Sequence, residues 1–439
     1  MGSARIRTAP VDPGRCGACP GCGPGHGPSA AGRGIRWPTG QLVQQTIWAV
    51  RLRAADTFAK GGPRPVVRIL HLADLHLGWR PAFMAREQAE ERRRRRDGLL
   101  ARAVDLALDP GRRIGLVVIA GDLFETHCPE EPLVAAAVAQ LRRLEQAGIP
   151  VVTVPGNHDE ITYPNSVYQR RRDGWPGLLV TNPHPAHVAT IEAQGETVHL
   201  YSLAYTGGVT QTRPAIRQFP RLDQPGLHVA IFHGTLGEGL GDRSLPLDPD
   251  ALGRAGYDYI ALGHIHKPSE VRLGRGLAVY PGTVEGKGFD DPGTRQFTIA
   301  SVEPGGVTLE RVPDPAAQKV AVHDLDVSPL PGAARVEAAV AALADPEAIV
   351  RVRLTGTAPE LLDAEAIEAA CAHRFFHLEV VDETDALSPA LLDRWAAERT
   401  ILGEFIRRMR RRMEEEQDED ERAVLEEALR RGVQAMRRR

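Results

Sequence analysis

From Val66 onward the chain repeats one pattern, an apolar run of strand length that ends in polar residues. VVRILHLADLHLG (66–78), GLVVIAGDLF (115–124), IPVVTVPGNHDE (149–160), GLHVAIFHGT (226–235) and YDYIALGHIHK (257–267) all follow it. Continuous apolar character of this length predicts buried strands. Helical stretches at Leu99–Leu108 and Pro132–Ala147 separate the first three runs. This predicts an α/β domain with its polar chemistry at the C-terminal ends of the strands, where such sheets place their sites. TVHLYSL (197–203), LAVYPGT (277–283), QFTIASV (296–302) and VTLERV (307–312) have no helices between them. They predict added antiparallel strands, making the domain α/β with α+β character.

VPDPAAQ (312–318) reads as a linker that closes a domain spanning 65–312. Beyond it the expected order is strand Val320–Leu325, helix Ala333–Ala344, strand Ile349–Leu354, helix Ala364–His373 and strand Phe376–Val381, a small α+β module over 319–385. Two amphipathic helices fill 397–439. Leu402, Phe405, Ile406, Met409 and Met413 share one face, and Val424, Leu425, Ala428, Leu429, Val433 and Met436 share another. Both stripes are wider than a self-packed helical hairpin covers, which predicts a surface for a partner. Residues 1–64 are rich in Gly, Pro and Arg without apolar periodicity, and read as a disordered or mis-assigned extension. Within it Cys16, Cys19, Cys22 and His26 have a spacing zinc could use.

A formal net charge of -3 gives no global attraction to nucleic acid. Any such binding must come from local arginines, in ERRRRRD (91–97), VYQRRRD (167–173) or IRRMRRRM (406–413), each of which reads equally as a solvated face. No apolar run approaches the ~20 residues a membrane-spanning helix needs, so a cytoplasmic protein is expected.

The strand ends carry the candidate chemistry. In LGHIHK (262–267), residues two apart on an extended segment point the same way, so His264 and His266 project together. Alone, the pair reads more readily as two surface histidines in a turn closed by Pro268. Beside it stand Asp74 and His76 from ADLHLG, Asp122 from GDLF, Asn157, His158 and Asp159 from GNHDE, and His233 from FHGT. Carboxylates, an amide and imidazoles form a donor set suited to Mn²⁺, Fe²⁺ or Zn²⁺ rather than a thiolate site.

D-x-H, G-D, G-N-H-D, H and G-H-x-H in this order resemble the calcineurin-like metallophosphoesterases. More narrowly, ILHLADLHLG, IAGDLFE, VPGNHDE, ALGHIHK and YPGTVEG resemble the SbcD-type DNA-repair exonucleases and their YhaO-like relatives. The resemblance implies a two-sheet β sandwich flanked by helices, a capping module and a C-terminal helical hairpin. It implies two divalent metal ions, Mn²⁺ first and Fe²⁺ or Zn²⁺ after it. Asp74, His76, Asp122 and His266 would hold one ion, and Asp122, Asn157, His233 and His264 the other. His158 would act on the scissile phosphate, with Asp159 on its far nitrogen. Some of these exonucleases carry a further histidine where this chain has Glu125, with His127 as a substitute nearby. The implied protein is a DNA exonuclease and endonuclease of double-strand-break repair, acting on DNA with an SbcC-like ABC ATPase as a homodimer within a heterotetramer. Two other readings stay open. One is a phosphodiesterase or phosphatase for small nucleotides or phosphoproteins, and the other is a binding scaffold, which the full ligand set disfavours.

Overall fold

A computed structural model describes residues 66–207, 215–237, 244–358, 362–384, 386–387 and 389–437. The Cys16, Cys19, Cys22 and His26 motif and the reading of residues 1–64 lie outside the described residues.

One six-stranded sheet holds β1 (Val67–Leu72), β2 (Leu116–Ala120), β3 (Val151–Val154) and β4 (Leu178–Leu179) in parallel. The second contains β5 (Ala186–Ala193), β6 (Glu196–Ser202) and β7 (Leu227–His233). A small ladder of β8 (Thr235–Leu236) and β9 (Pro246–Leu247) follows, and two short helices, α4 (Val167–Arg170) after β3 and α5 (Pro249–Ala255) after β9, complete this part of the chain. The chain then adds β10 (Tyr259–Gly263), β11 (Ser269–Leu273) and β12 (Gly276–Tyr280) to the second sheet, and β13 (Gln296–Glu303) and β14 (Gly306–Pro313) to the first.

Alternation along β7 shows how both faces of a central strand are buried. Val229 and Ile231 join Ile69, Val118 and Leu200 in the core between the sheets, while Ala230 and Phe232 join Tyr257, Ile260 and Leu262 on the outer face. On the outer face of the first sheet, helices α2 (Leu99–Leu108) and α3 (Glu131–Gln146) bury Leu100, Val104, Val134 and Leu141.

Two expectations change. β6 and β12, expected to be antiparallel additions, run parallel to β7 and β10; the antiparallel partners are β5, β11, β13 and β14. The crossover from β10 to β12 runs through the edge strand β11 rather than a helix, so absence of a helix did not mean antiparallel pairing.

The second change concerns ERRRRRD, of which two arginines are not at the surface. It lies on α1 (Arg86–Asp97), where Arg92 and Arg96 are buried. Glu285 pairs with Arg92 and, at 2.9 Å, with Arg102. Arg92 also donates to the Gly286 carbonyl at 2.9 Å, and Arg96 donates to the same oxygen at 2.7 Å and to the Leu75 carbonyl at 3.2 Å. Arg93, Arg94 and Arg95 pair with Glu130, Glu91 and Glu347 at 2.6 or 2.7 Å. Arg92 and Arg96 are spent on holding the fold, whereas Arg93, Arg94 and Arg95 form pairs with surface glutamates. Glu285→Ala is therefore expected to lower unfolding stability by about 3–5 kcal/mol, since it leaves Arg92 buried and unpaired. Chemical denaturation checks this, and an unmoved midpoint would count against it.

The following module is a parallel three-stranded sheet of β15 (Val320–Asp326), β16 (Asp345–Thr355) and β18 (Phe375–Asp382), with a short ladder of β17 (Thr357–Ala358) and β19 (Ala386–Leu387). Its helices α6 (Ala333–Ala341) and α7 (Ala364–Cys371) pack Val336, Val340, Ile367 and Cys371 on one face. At the C-terminus, α9 (Ile401–Glu415) and α10 (Glu419–Arg437) do not stand as a pair. A helix the sequence reading lacked, α8 (Pro389–Ala396), supplies Leu391 and Trp395 to a core with Leu402, Ile406, Leu429 and Val433. The excess width of the two stripes is largely accounted for by this third helix. Ile401, Val424 and Met436 remain 83%, 62% and 41% exposed. Among the described residues no helix is long and apolar enough to cross a membrane.

Candidate metal centre

The C-terminal ends of β1, β2, β3, β7 and β10 converge, and each delivers one of the polar fragments. Asp74, His76, Asp122 and His264 have φ of 54°, 48°, 50° and 94°. Non-glycine residues in this left-handed region cost of order 1–3 kcal/mol each and persist where the surroundings impose them. The glycines ahead of the ligands have a steric origin. A Cβ on Gly121 would meet the His233 ring, and one on Gly156 would meet the Asp122 carboxylate, so G-D and G-N are the residues that let these loops touch.

The donor atoms form two groups that share Asp122. On one side His76 Nε2 lies 3.1 Å from His266 Nε2 and 3.8 Å from Asp122 Oδ2, with the Asp74 carboxylate completing the cluster. On the other, Asp122 Oδ2 is 3.4 Å from His233 Nε2, and Asn157 Oδ1 is 2.8 Å from that nitrogen and 2.9 Å from His264 Nδ1. Asp122 Oδ1 is turned away and accepts from the His158 amide at 2.8 Å.

The outer nitrogens fix the imidazoles. His233 Nδ1 donates to the Ala120 carbonyl at 2.9 Å, His266 Nδ1 lies 2.7 Å from Asp291 Oδ2, and His76 Nδ1 lies 2.9 Å from Glu125 Oε2. Acceptors on the outside leave the Nε2 lone pairs on the inside, the arrangement of metal-ligating histidines. Asp74, His76, Asp122 and His233 are all at most 2% exposed. Burial raises the Asp74 carboxyl to about 6. For Asp122 burial also acts upward, but the charge of His233 outweighs it and holds the carboxyl well below its usual range. His76 falls to about 3 and His264 to about 4, both chiefly through burial. His233 goes the other way, to about 9, because burial is outweighed by the Asp122 carboxylate, and Asp291 and Asp74 likewise raise His266. Two buried carboxylates that draw protons onto neighbouring imidazoles are a negative centre where a divalent cation would take the protons' place, so the residues present fit the metal.

His158 stands beside this set. Its ring meets His76 edge-on at 4.7 Å between centroids, and its Nδ1 donates to the Glu125 carbonyl at 3.0 Å. Asp159 does not reach that nitrogen, contrary to expectation. It is buried and accepts from Gly156 N at 2.7 Å, Phe124 N at 3.1 Å and the Tyr168 hydroxyl at 2.7 Å, tying the loops of Asp122 and Asn157 together. Burial pushes its carboxyl up to about 7. The site's own shell keeps the two apart, since Glu125 already faces His158.

Glu125 holds three roles, taking His76, His158 through its backbone, and Lys287 Nζ at 2.7 Å. The His127 ring stacks on Tyr163 at 4.3 Å. Lys287 and Asp291 carried no strand-end signal in sequence. YPGTVEG is a brace: the Tyr280 hydroxyl donates to the Gly234 carbonyl, Thr283 donates to the Asp74 carbonyl at 2.9 Å, and Glu285 anchors α1.

Residues 67–268 match the calcineurin-like phosphoesterase family, so the chain carries a domain of that family. Its relatives are of the SbcD type, at low identity. The uncharacterized metallophosphoesterase YhaO of Bacillus subtilis is 27% identical over 286 residues, covering 62% of this chain and 66% of that protein. The DNA double-strand break repair protein Mre11 of Methanopyrus kandleri is 30% identical over 262 residues, 55% of each chain. A subunit of the SbcCD nuclease of B. subtilis is 24% identical over 279 residues, 54% of this chain and 67% of the relative. The chain thus spans between about half and two thirds of the length of these curated relatives.

Proposed function

We propose that this chain is a metal-dependent DNA exonuclease and endonuclease of double-strand-break repair. The observation that carries the metal dependence is Asp122 Oδ2, buried and placed between two donor groups whose histidines turn lone pairs inward. Asp74, His76, Asp122 and His266 would hold one divalent ion, and Asp122, Asn157, His233 and His264 a second, with Mn²⁺ the first candidate and Fe²⁺ or Zn²⁺ next. When bound, such a pair lowers the pKa of a water and neutralises charge on the phosphate under attack.

The protein's own groups orient that chemistry. The Asp291, Ala120 and Glu125 acceptors hold His266, His233 and His76 in register. His158 Nδ1 donates to the Glu125 carbonyl, so when the ring carries its second proton, Nε2 is the atom that gives it to a leaving oxygen or hydrogen-bonds the phosphate. Lys267, exposed beside His266, and the exposed Arg411 and Arg412 of α9 are cations that a DNA backbone could meet. DNA is favoured as substrate by the relatives, which include a DNA repair protein and a component of a nuclease.

The alternative is a phosphodiesterase or phosphatase for small nucleotides or phosphoproteins, because the donor set recognises phosphate and not what it is attached to. Incubating the full chain with linear duplex, single-stranded DNA and a small chromogenic diester, with Mn²⁺ or with EDTA, separates them. Metal-dependent DNA cleavage supports the nuclease; turnover of the diester alone supports the alternative.

For partners, the reading takes an SbcC-like ABC ATPase bound to the C-terminal helices, with the chain as a homodimer in a heterotetramer in the cytoplasm. Exposed Ile401, Val424 and Met436 supply the apolar contact. Because α8 belongs to the same helical unit, the cut must precede it. Removing residues 389–439 is expected to leave diester hydrolysis intact and abolish co-purification with the ATPase. Loss of folding or of diesterase activity would assign the unit to the core instead.

A further inference from the structure

Where the sandwich meets the three-stranded module there is an open cleft of about 360 Å³, within the range of small-ligand sites. Its aromatic walls come from three separate segments: Phe83 ahead of α1, Phe289 after β12 and His377 on β18. Phe83 is 44% exposed, so part of its ring is open to the cleft. It lies 5.9 Å from the Phe289 ring and 5.6 Å from the His377 ring. The Arg351 guanidinium stacks over Phe289 at 4.1 Å. Met84, Ala89 and Ile349 are buried in a small cluster against Phe289 and Phe376, and Gln88 Nε2 donates to the Phe376 carbonyl at 2.8 Å. Arg95 stacks over Phe376 at 5.0 Å. The seam is held from several sides, so the cleft is preformed.

Its chemistry selects among occupants. Arg351 is engaged by Glu379 through two oxygens at 3.0 and 3.2 Å, and Asp290 and Glu368 add further carboxylates. Acidic residues outnumber cations, which disfavours a phosphate inside the cleft. A nucleobase brings what the cleft can use, a π face for the rings and edge N–H groups for the carboxylates. The cleft also connects to the metal centre. Phe289 is two residues from Asp291, whose carboxylate holds His266, and two residues of chain span at most about 7 Å. A nucleic-acid strand advances about 3.4 Å per nucleotide when stacked, so the cleft is a few nucleotides from the ligands.

On the reading of the chain as a DNA nuclease, we infer that this cleft receives one unstacked base of a strand whose phosphate lies at the metal centre. Rings on Phe83 and Phe289 hold the base by stacking, with little sequence preference. Intact duplex cannot enter without losing a base pair, so frayed ends and single strands are the forms the cleft serves.

The test uses the full chain with Mn²⁺, single-stranded oligonucleotides carrying 2-aminopurine, and the small chromogenic diester. Phe83→Leu keeps apolar volume and removes the ring; Phe83→Trp keeps a ring. Stacking strengths per base translate into a loss of about 5- to 100-fold in kcat/KM on single-stranded DNA for Phe83→Leu. Phe83→Trp should retain cleavage, and the diester, too small to span both places, should be turned over at the wild-type rate by each variant. Quenching of 2-aminopurine on binding should be present in the wild type and lost in Phe83→Leu. Unchanged DNA cleavage by Phe83→Leu overturns the inference while leaving the nuclease reading standing. So does a parallel loss on the diester, which would mean that the substitution disturbs the His266 loop, and so does loss of binding to a protein partner with DNA cleavage intact. A wild-type chain that hydrolyses the diester but not DNA ends the nuclease reading, and the base cleft falls with it.

Discussion

Asp122→Asn is expected to leave no measurable phosphodiester hydrolysis, and the purified variant should hold less metal than the wild type. The side chain's Oδ2 faces His76 Nε2 on one side and His233 Nε2 on the other, at 3.8 and 3.4 Å, and the Asp74 carboxylate also lies near both groups. An amide is neutral, and one of its two terminal groups is a donor that cannot ligate. Losing a bridging charge weakens both positions at once, so the effect exceeds that of removing a ligand such as His264 that serves one group. The wild type treated with a chelator should match the variant, and added Mn²⁺ should restore the former only. Oδ1 also accepts from the His158 amide, so thermal unfolding must show that the variant is folded before its inactivity is assigned to metal. Chelator-treated wild type that turns over at the untreated rate would remove the metal from the reaction altogether.

The strand-end residues were legible because a buried strand run that stops in Asp, His or Asn breaks its own hydrophobic rule. Each break fell at the end of a strand of the sandwich, so periodicity alone located Asp74, Asp122, Asn157, His233 and His264. The supporting shell gave no such contrast. Glu125, Lys287 and Asp291 lie in polar loops where a charged residue breaks no pattern, and only their contacts with His76 and His266 distinguish them. Arginine misled in the other direction. A run of five reads as surface, yet Arg92 and Arg96 sit one turn apart on the inward face of α1, where Glu285 and the carbonyls of Leu75 and Gly286 replace water. Their guanidinium groups are pulled down to about 9 and about 10, chiefly by burial, and remain charged near neutrality. Helix α8 went unseen because it is short and follows closely on the α+β module. The surplus apolar width of α9 and α10 was its signal, assigned in sequence to a partner.

His158→Ala is expected to keep close to the wild-type metal content while turnover falls by ~10²–10⁴, the range for losing a general acid or a charge stabiliser. Its imidazole stands outside the two groups that share Asp122, half-buried against His76, with Nδ1 spent on the Glu125 carbonyl. The leaving group then tells acid from stabiliser. Expelling a deoxyribose alkoxide requires a proton, whereas a nitrophenolate departs without one. If Nε2 delivers that proton, the loss should fall mainly on DNA and spare the chromogenic diester. If Nε2 instead donates a hydrogen bond to the phosphate, both substrates should slow together. Glu125 offers a third outcome, because His76, Glu125 and His158 lie close enough to bind an ion themselves. Loss of one metal equivalent in His158→Ala would make His158 a ligand and Glu125 its partner, and the assignment of His158 as acid would have to be withdrawn.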